Sequence, residues 1–553
     1  MRWAVLIFAI AAIPAAAADH WTRLTTPGFE LYTTGGDKKG KDTLRHFEQV
    51  REFFQKASPV HAPPDSPVRI VEFATEEQYR PYRPTSSASA YFFESSSRDY
   101  IVLGNEASYP TAIHEYMHLM VRHSGLKIPL WLNEGWADVY STLRPMGKET
   151  AVGDLPEGRL QALTSGKWLS FAELTSTDRN SPNYHEASRA GIFYAESWAL
   201  AHMLYLAPDY KDNFGKFVMA LHRGSSSAEA VRIAWNRTPD EVFRDLQKYL
   251  DRKRIYGQIF EAGIDKQQAE PEVSAVPEFD SRLMLADLLL ATNKLPEARQ
   301  EYALLEKERP DRPDLARAMG ALDEATGDHE GARRYFEKAF DQGESDPKMC
   351  LQLALLEGFA HQSPDKIIPI LERAVKSKPS FTEAKIRLGL AKVDARDFAG
   401  AISGLTAIPN VTPEQAPGVF CGLSYAYLES GDTGAARQNA EICRKWAKAE
   451  ADVQRADQLI KLANTPARER LQRITGTMRG VECLPGGNRL QIVAGNKLVT
   501  FDLPSLDAVE TARKPPGFTL ACGALQPLPV AVEFVPPRSV VETSQGTVRR
   551  LVF

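Results

Sequence analysis

The chain has 553 residues, more than a single hydrophobic core organises, so about three or four domains of ~100–200 residues are expected. A hydrophobic content of 43% and a charged content of 25% are those of an ordinary soluble globular protein. Lys plus Arg (67) nearly balances Asp plus Glu (71), for a net charge of −4, and nothing in that balance asks for nucleic acid or an anionic membrane surface as partner.

Residues 1–18 read as a signal peptide. "MRW" is a short positive start, "AVLIFAIAAIPAAAA" is an apolar run of small residues, and Ala16-Ala17-Ala18 fits a small-x-small cleavage site. A membrane anchor is the alternative, but the run is short for a span and ends in alanine rather than bulky residues. No cysteine stands at the cleavage point, which argues against a lipoprotein. No later stretch is apolar enough to span a bilayer. The mature chain is expected to begin near Asp19 and to be periplasmic or secreted.

Residues 19–255 form the first expected domain. "FELYTT" alternates like a strand, "KDTLRHFEQVREFFQKA" places apolar residues at helical spacing, and "SPVRIVEFA" reads as a strand. "AYFFESSSRDYIVLGN" looks like two strands joined by a polar turn. "TAIHEYMHLMVRH" then follows as an amphipathic helix containing HEYMH, residues 114–118. Residues i and i+4 share a helix face, so His114 and His118 present two imidazoles to one cation. Zinc suits imidazole nitrogen, and a catalytic site needs a third protein ligand and one open position. Glu115 is rotated off the histidine line, where it can act as general base without ligating. A third ligand at metzincin spacing requires Gly at 121 and His at 124, where the chain has Val121 and Ser124. His123 falls off the ligand face and reads as polar surface.

Downstream, "WLNEGWAD" completes a resemblance to the gluzincins, zinc peptidases with HExxH followed on a second helix by a glutamate in an N-E context. The segment is also similar to that of aminopeptidase N-type enzymes and of peptidase MA-like domains of exported bacterial proteins. The resemblance spans about 30 residues. It implies an α+β zincin-like domain binding one Zn2+ through His114, His118 and Glu134, with Asp138 accepting a hydrogen bond from a ligand histidine. Asn133 reads as structural, near the helix start. In aminopeptidase N-like enzymes a tyrosine about 60 residues beyond the glutamate steadies the oxyanion; Tyr194, in "FYAESWALAHML", is its counterpart, with His185 and His202 as further candidates. The chain lacks the G-x-M-E-N segment that anchors a free amine in those enzymes, which favours an endopeptidase.

Residues 256–280 are polar, contain two prolines, and read as a linker. From 281 to 466 a repeat emerges: the small or apolar residue opening each second helix falls at Ala298, Ala332, Ile367, Ala401 and Ala435, in steps of 34 or 35. This spacing resembles the tetratricopeptide repeat, an all-α solenoid that implies a protein partner. An irregular helical bundle is the alternative. Residues 475–553 are rich in Gly, Pro and Val and read as a small β domain, with a hairpin turn at Ala494–Lys497. The five cysteines all lie from 350 onward without a CxxC pair; Cys421 with Cys443 and Cys483 with Cys522 are the expected disulfides.

The chain is therefore expected to be an exported zinc metallopeptidase that hydrolyses a peptide or protein substrate and recruits a protein through its repeats. The alternative is an inactive peptidase-like scaffold of the cell envelope. The intact Glu115 favours activity, because a decayed enzyme is expected to lose its base.

Overall fold

The computed structural model describes residues 20–553 apart from 58–66, 87, 95–97, 147, 157, 186, 252–256, 262–269, 465–470, 485–486, 504–505, 507–508 and 537–543, and apart from the side chains of 165, 185, 187–189 and 484. The expected signal peptide lies outside the described residues. The chain divides into two compact units, one ending at Leu356 and one beginning at Glu357.

The first unit opens with β1 (Thr22–Thr25), β2 (Phe29–Thr33), helix α1 (Gly36–Ala57), β3 (Val68–Glu72), the single turn α2 (Glu76–Tyr79), β4 (Ala90–Glu94) and β5 (Asp99–Leu103). Then come α3 (Tyr109–His123) and α4 (Leu130–Ser141), the short strands β6 (Arg144–Met146) and β7 (Glu149–Val152), and α5 (Arg159–Ser165), α6 (Phe171–Ser176) and α7 (Pro182–His185). The long α8 (Ala187–Leu206) precedes α9 (Phe214–His222), α10 (Ser227–Trp235) and α11 (Pro239–Leu250). Strands β8 (Gln258–Phe260) and β9 (Glu272–Ala275) lie inside the stretch expected as a linker. β8 pairs with β7, and β9 adds to β1, so that stretch is partly built into two sheets. Its strands escaped sequence reading because all four β9 side chains are exposed and backbone pairing alone holds them.

The main sheet has the order β4-β5-β3-β2-β1-β9, with β2, β3 and β5 parallel. Alternate side chains serve two cores. Phe29, Leu31, Ile70 and Ile101 face α1, α3, α4 and α8. Tyr32, Val71, Tyr100 and Val102 face the other way and pack with Met284 and Leu288. Both faces are covered, which is why the strands read as nearly continuous apolar runs. Each fully buried Leu, Ile, Val, Phe or Met contributes about 1.5–3 kcal/mol. Helix propensities differ by only ~0.7 kcal/mol per ordinary residue, so packing fixes where α3 and α4 lie.

Met284 and Leu288 belong to α12 (Glu278–Ala291), the first repeat helix, which is followed in this unit by α13 (Leu295–Glu308), α14 (Pro313–Ala325) and α15 (His329–Asp341). Helix α16 (Pro347–Phe359) crosses into the second unit, which holds α17 (Pro364–Ser377), α18 (Thr382–Asp394), α19 (Phe398–Thr406), α20 (Ala416–Glu429), α21 (Thr433–Trp446) and α22 (Glu450–Asn464). The second helices of the hairpins begin at Leu295, His329, Pro364, Phe398 and Thr433, keeping the expected period. Ala298, Ala332 and Ala401 are fully buried at the fourth position of these helices. In the last hairpin Ala436 takes that place, while Ala435 is only half-buried.

The C-terminal strands β10 (Gln472–Leu484), β11 (Gly487–Ala494), β12 (Lys497–Leu503), β13 (Glu510–Ala512), β14 (Gly523–Val535) and β15 (Thr547–Val552) form one sheet, in which β12 also pairs with β15. Met478, Leu490, Ile492, Phe501, Val532 and Leu551 fill its core. Gly495, at a φ of +61°, turns β11 into β12 with Ala494 opposite Lys497, as expected. Disulfides join Cys421 to Cys443 and Cys483 to Cys522, and the buried Cys350 belongs to neither. No helix among the described residues is long and apolar enough to cross a membrane.

Candidate metal centre

Helix α3 starts at Ser108, whose side chain accepts a hydrogen bond from the Thr111 amide, with Pro110 in its first turn. Ile113, Tyr116, Met117 and Met120 bury one stripe of it, leaving His114, Glu115 and His118 half-buried on another. Helix α4 is buried almost throughout and crosses α8 very closely. A Cβ added to Gly135 stands 2.0 Å from the Ser197 carbonyl oxygen, so glycine is required beside Glu134 for the two helices to meet.

His114 Nε2 and His118 Nε2 are 3.1 Å apart, and Glu134 Oε2 stands 3.4 Å from the first and 3.5 Å from the second. Ligand atoms about 2.0–2.1 Å from a tetrahedral zinc are roughly 3.3–3.4 Å from one another, so two imidazoles and one carboxylate in this triangle fit the ion. Among the described residues, this is the sole group of three or more His, Cys, Asp or Glu placed to hold one.

Asp138, one turn beyond Glu134, lies 3.0 Å from His114 Nδ1 through Oδ1. Accepting the Nδ1 proton leaves Nε2 as the lone-pair nitrogen that faces the triangle. The buried His118 Nδ1 has no partner among the described residues. Without a metal, burial works against protonation of His114, but its bonds to Asp138 and Glu134 win and hold its pKa well above the usual imidazole range. For Glu134, burial raises the carboxyl pKa, but the two histidines outweigh it and hold it far below the usual range.

The Glu115 charge is felt by both imidazoles and by Tyr184, which puts it beside the triangle. Tyr194 reaches the same place from α8. Burial first, then the Glu134 charge, pushes its phenol far above the ordinary value. Two residues that sequence reasoning passed over complete the surroundings. Tyr184, on α7, shares a hydrogen bond with Tyr194, their rings 5.9 Å apart. Arg159, at the start of α5, donates from Nε to Asp138 Oδ2 at 2.7 Å and lies over the Tyr194 ring at 5.2 Å. Neither sits in a periodic segment, so nothing in the sequence marked them.

The remaining candidates fare differently. His202 is fully buried, with Nδ1 against the Tyr249 hydroxyl at 2.7 Å and Nε2 against the Gly153 carbonyl at 2.8 Å, so both nitrogens are committed to the core. His123 is off the ligand face as expected, but it pairs with Asp99 at 2.5 Å rather than lying free on the surface. Asn133 lies in the first turn of α4 with its side-chain oxygen buried and unpartnered among the described residues. The side chain of His185 lies outside the described residues.

No family model and no curated protein matches the chain. Among solved structures it is similar to YrrB, a TPR protein with an unusual peptide-binding site, at 20% identity over 32% of this chain and 90% of that one, with a TM-score of 0.29. It is also similar to PilW, a type IV pilus biogenesis factor (14% identity, 33% and 85% covered, TM-score 0.25). A thermophilic TPR protein of Thermus thermophilus matches at 16% identity over 33% of this chain and 99% of that one, with a TM-score of 0.22. The helical hairpins of this chain repeat on a 34–35-residue period.

Proposed function

We propose that the chain is an exported zinc-dependent peptidase of the gluzincin type, with an endopeptidase favoured, whose repeats recruit a protein partner. The observation that carries this reading is the triangle of His114 Nε2, His118 Nε2 and Glu134 Oε2, braced through Asp138. His114, His118 and Glu134 would hold a zinc ion, which would supply Lewis-acid chemistry at this place. Glu115 takes the proton of the attacking water and passes it to the leaving amine. The Tyr194 hydroxyl, paired with Tyr184, donates to the carbonyl oxygen as it gains charge. Strand β4 is the outermost strand of its sheet, at the edge where an extended peptide backbone can add. The two disulfides support export into an oxidising compartment.

A second reading, a repeat-based interaction scaffold that binds metal without cutting, is favoured by the extent of the helical hairpins. Two measurements separate the readings. Metal analysis of the mature protein is expected to find about one zinc per chain, lost in Glu134→Ala. Glu115→Gln is expected to keep the zinc and to lose cleavage of an unfolded protein substrate by ~10²–10⁴-fold. Unchanged cleavage rules out this mechanism, and zinc without cleavage in the wild type favours the scaffold.

A further inference from the structure

We propose that Arg159 is a positioning residue that links the bracing of the metal ligands to the tyrosine above them, an inference that rests on the peptidase reading. One guanidinium meets both. Its Nε donates to Asp138 Oδ2 at 2.7 Å, while the other Asp138 oxygen faces His114 Nδ1 at 3.0 Å. Its carbon lies 5.2 Å from the centre of the Tyr194 ring, and Tyr194 shares its hydroxyl with Tyr184. A planar, permanently charged fork can pair with a carboxylate at its edge while its face lies over an aromatic ring, and the single ammonium of a lysine cannot do both at once in this geometry. Arg159 is itself held in place. Gly158, at a φ of +78°, turns the chain into α5, and Leu163 of that helix is buried in the core that also holds Ile192 and Phe193 of α8. The residue is therefore anchored to the helix that carries Tyr194.

Arg159 has two separable effects. It keeps Asp138 aimed at His114, which sustains metal affinity. It also holds the Tyr194 ring at the angle that places its hydroxyl over the scissile carbonyl, which sustains turnover. A residue that merely stabilised the fold would not divide in this way between arginine, lysine and methionine.

The test uses the full mature chain and its Arg159→Met, Arg159→Lys, Tyr194→Phe and Arg159→Lys/Tyr194→Phe variants. Zinc affinity is measured by competition with a chelator, and kcat and KM on a quenched fluorescent peptide. Arg159→Met is expected to weaken zinc binding by about tenfold or more. Arg159→Lys restores zinc affinity to within about threefold of wild type, because the ammonium still pairs with Asp138, yet lowers kcat about tenfold at an unchanged KM. The double variant is no slower than Tyr194→Phe alone, since the lysine change acts through that tyrosine. Wild-type zinc affinity in Arg159→Met overturns the proposal, as does multiplication of the two kcat losses in the double variant. A wild type that binds no zinc removes the metal reading beneath the proposal. One that binds zinc and cleaves nothing overturns the Tyr194 half together with the peptidase reading.

Discussion

Replacing Glu196 with glutamine is expected to flatten part of the pH dependence of stability. Glu196 is fully buried on α8, two residues beyond Tyr194. Its Oε1 accepts the Leu169 amide at 2.9 Å, and its Oε2 has no partner among the described residues. Burial first, with a smaller push from Glu173, raises its carboxyl pKa from 4.5 to about 8. The unfolded chain therefore releases this proton near pH 4.5 and the folded chain near pH 8. Between those values each pH unit favours the unfolded state by ~1.4 kcal/mol, so stability present below pH 4.5 is lost progressively, by roughly 3 kcal/mol at pH 7. Glutamine keeps the acceptor for Leu169 and does not titrate. The variant is expected to match wild type near pH 4.5 and to exceed it by roughly 3 kcal/mol at pH 7. With an unfolding entropy of ~2.1 cal/mol/K per residue over a unit of this length, that difference raises Tm by about 4 °C. Seven of the eight tryptophans precede Leu356, so tryptophan fluorescence on heating follows mainly the first unit. A Tm difference that stays constant from pH 4.5 to 8 would refute the reasoning.

Gly135→Ala forces the Ser197 carbonyl away from α4 and is expected to cost more than ~2 kcal/mol, read as a lower Tm; a neutral change would mean that the helices separate freely. Asp138→Asn is expected to weaken zinc binding by ~10–100-fold in a chelator competition, because His114 loses its carboxylate brace. The stabilisation that zinc gives should depend on pH. In the metal-free chain burial lowers the His114 pKa, but Asp138 and Glu134 raise it further, so the stability its charge contributes is complete below about pH 6.5 and is lost as pH rises through the folded value. The rise in Tm that zinc produces is therefore expected to be larger at pH 8 than at pH 6, because protons compete with the ion for His114. Non-reducing peptide mapping should recover Cys421 with Cys443, Cys483 with Cys522, and Cys350 as a thiol.

His114 and His118 were legible in the sequence because residues four apart share a helix face, whereas Glu134, on the next helix, was reached through the resemblance of its segment to the gluzincins. The repeats were legible for a similar reason: a small residue recurs wherever two helices touch. Arg159 and Tyr184 were not, since each arrives from a short helix whose placement depends on packing against α8. β8 and β9 were missed because short strands held by backbone pairing leave no apolar alternation to read. Glu196 stood hidden in an apolar helix, where a lone carboxylate looks like a surface residue until burial is known. Strands β2 to β5 were recognised and β1 was not, and the parallel order of β2, β3 and β5 was not readable from pattern alone.

Helix α12 closes the open face of the main sheet with Met284 and Leu288, against Tyr32, Val71 and Tyr100. Ancestry and engineering are both constrained by that contact. A gene fragment ending near residue 255, although it would contain every ligand, would leave an aromatic wall facing water and yield an aggregating product. The compact unit runs past the second hairpin and ends at Leu356, inside α16, so a fragment that keeps the unit whole carries both proximal hairpins.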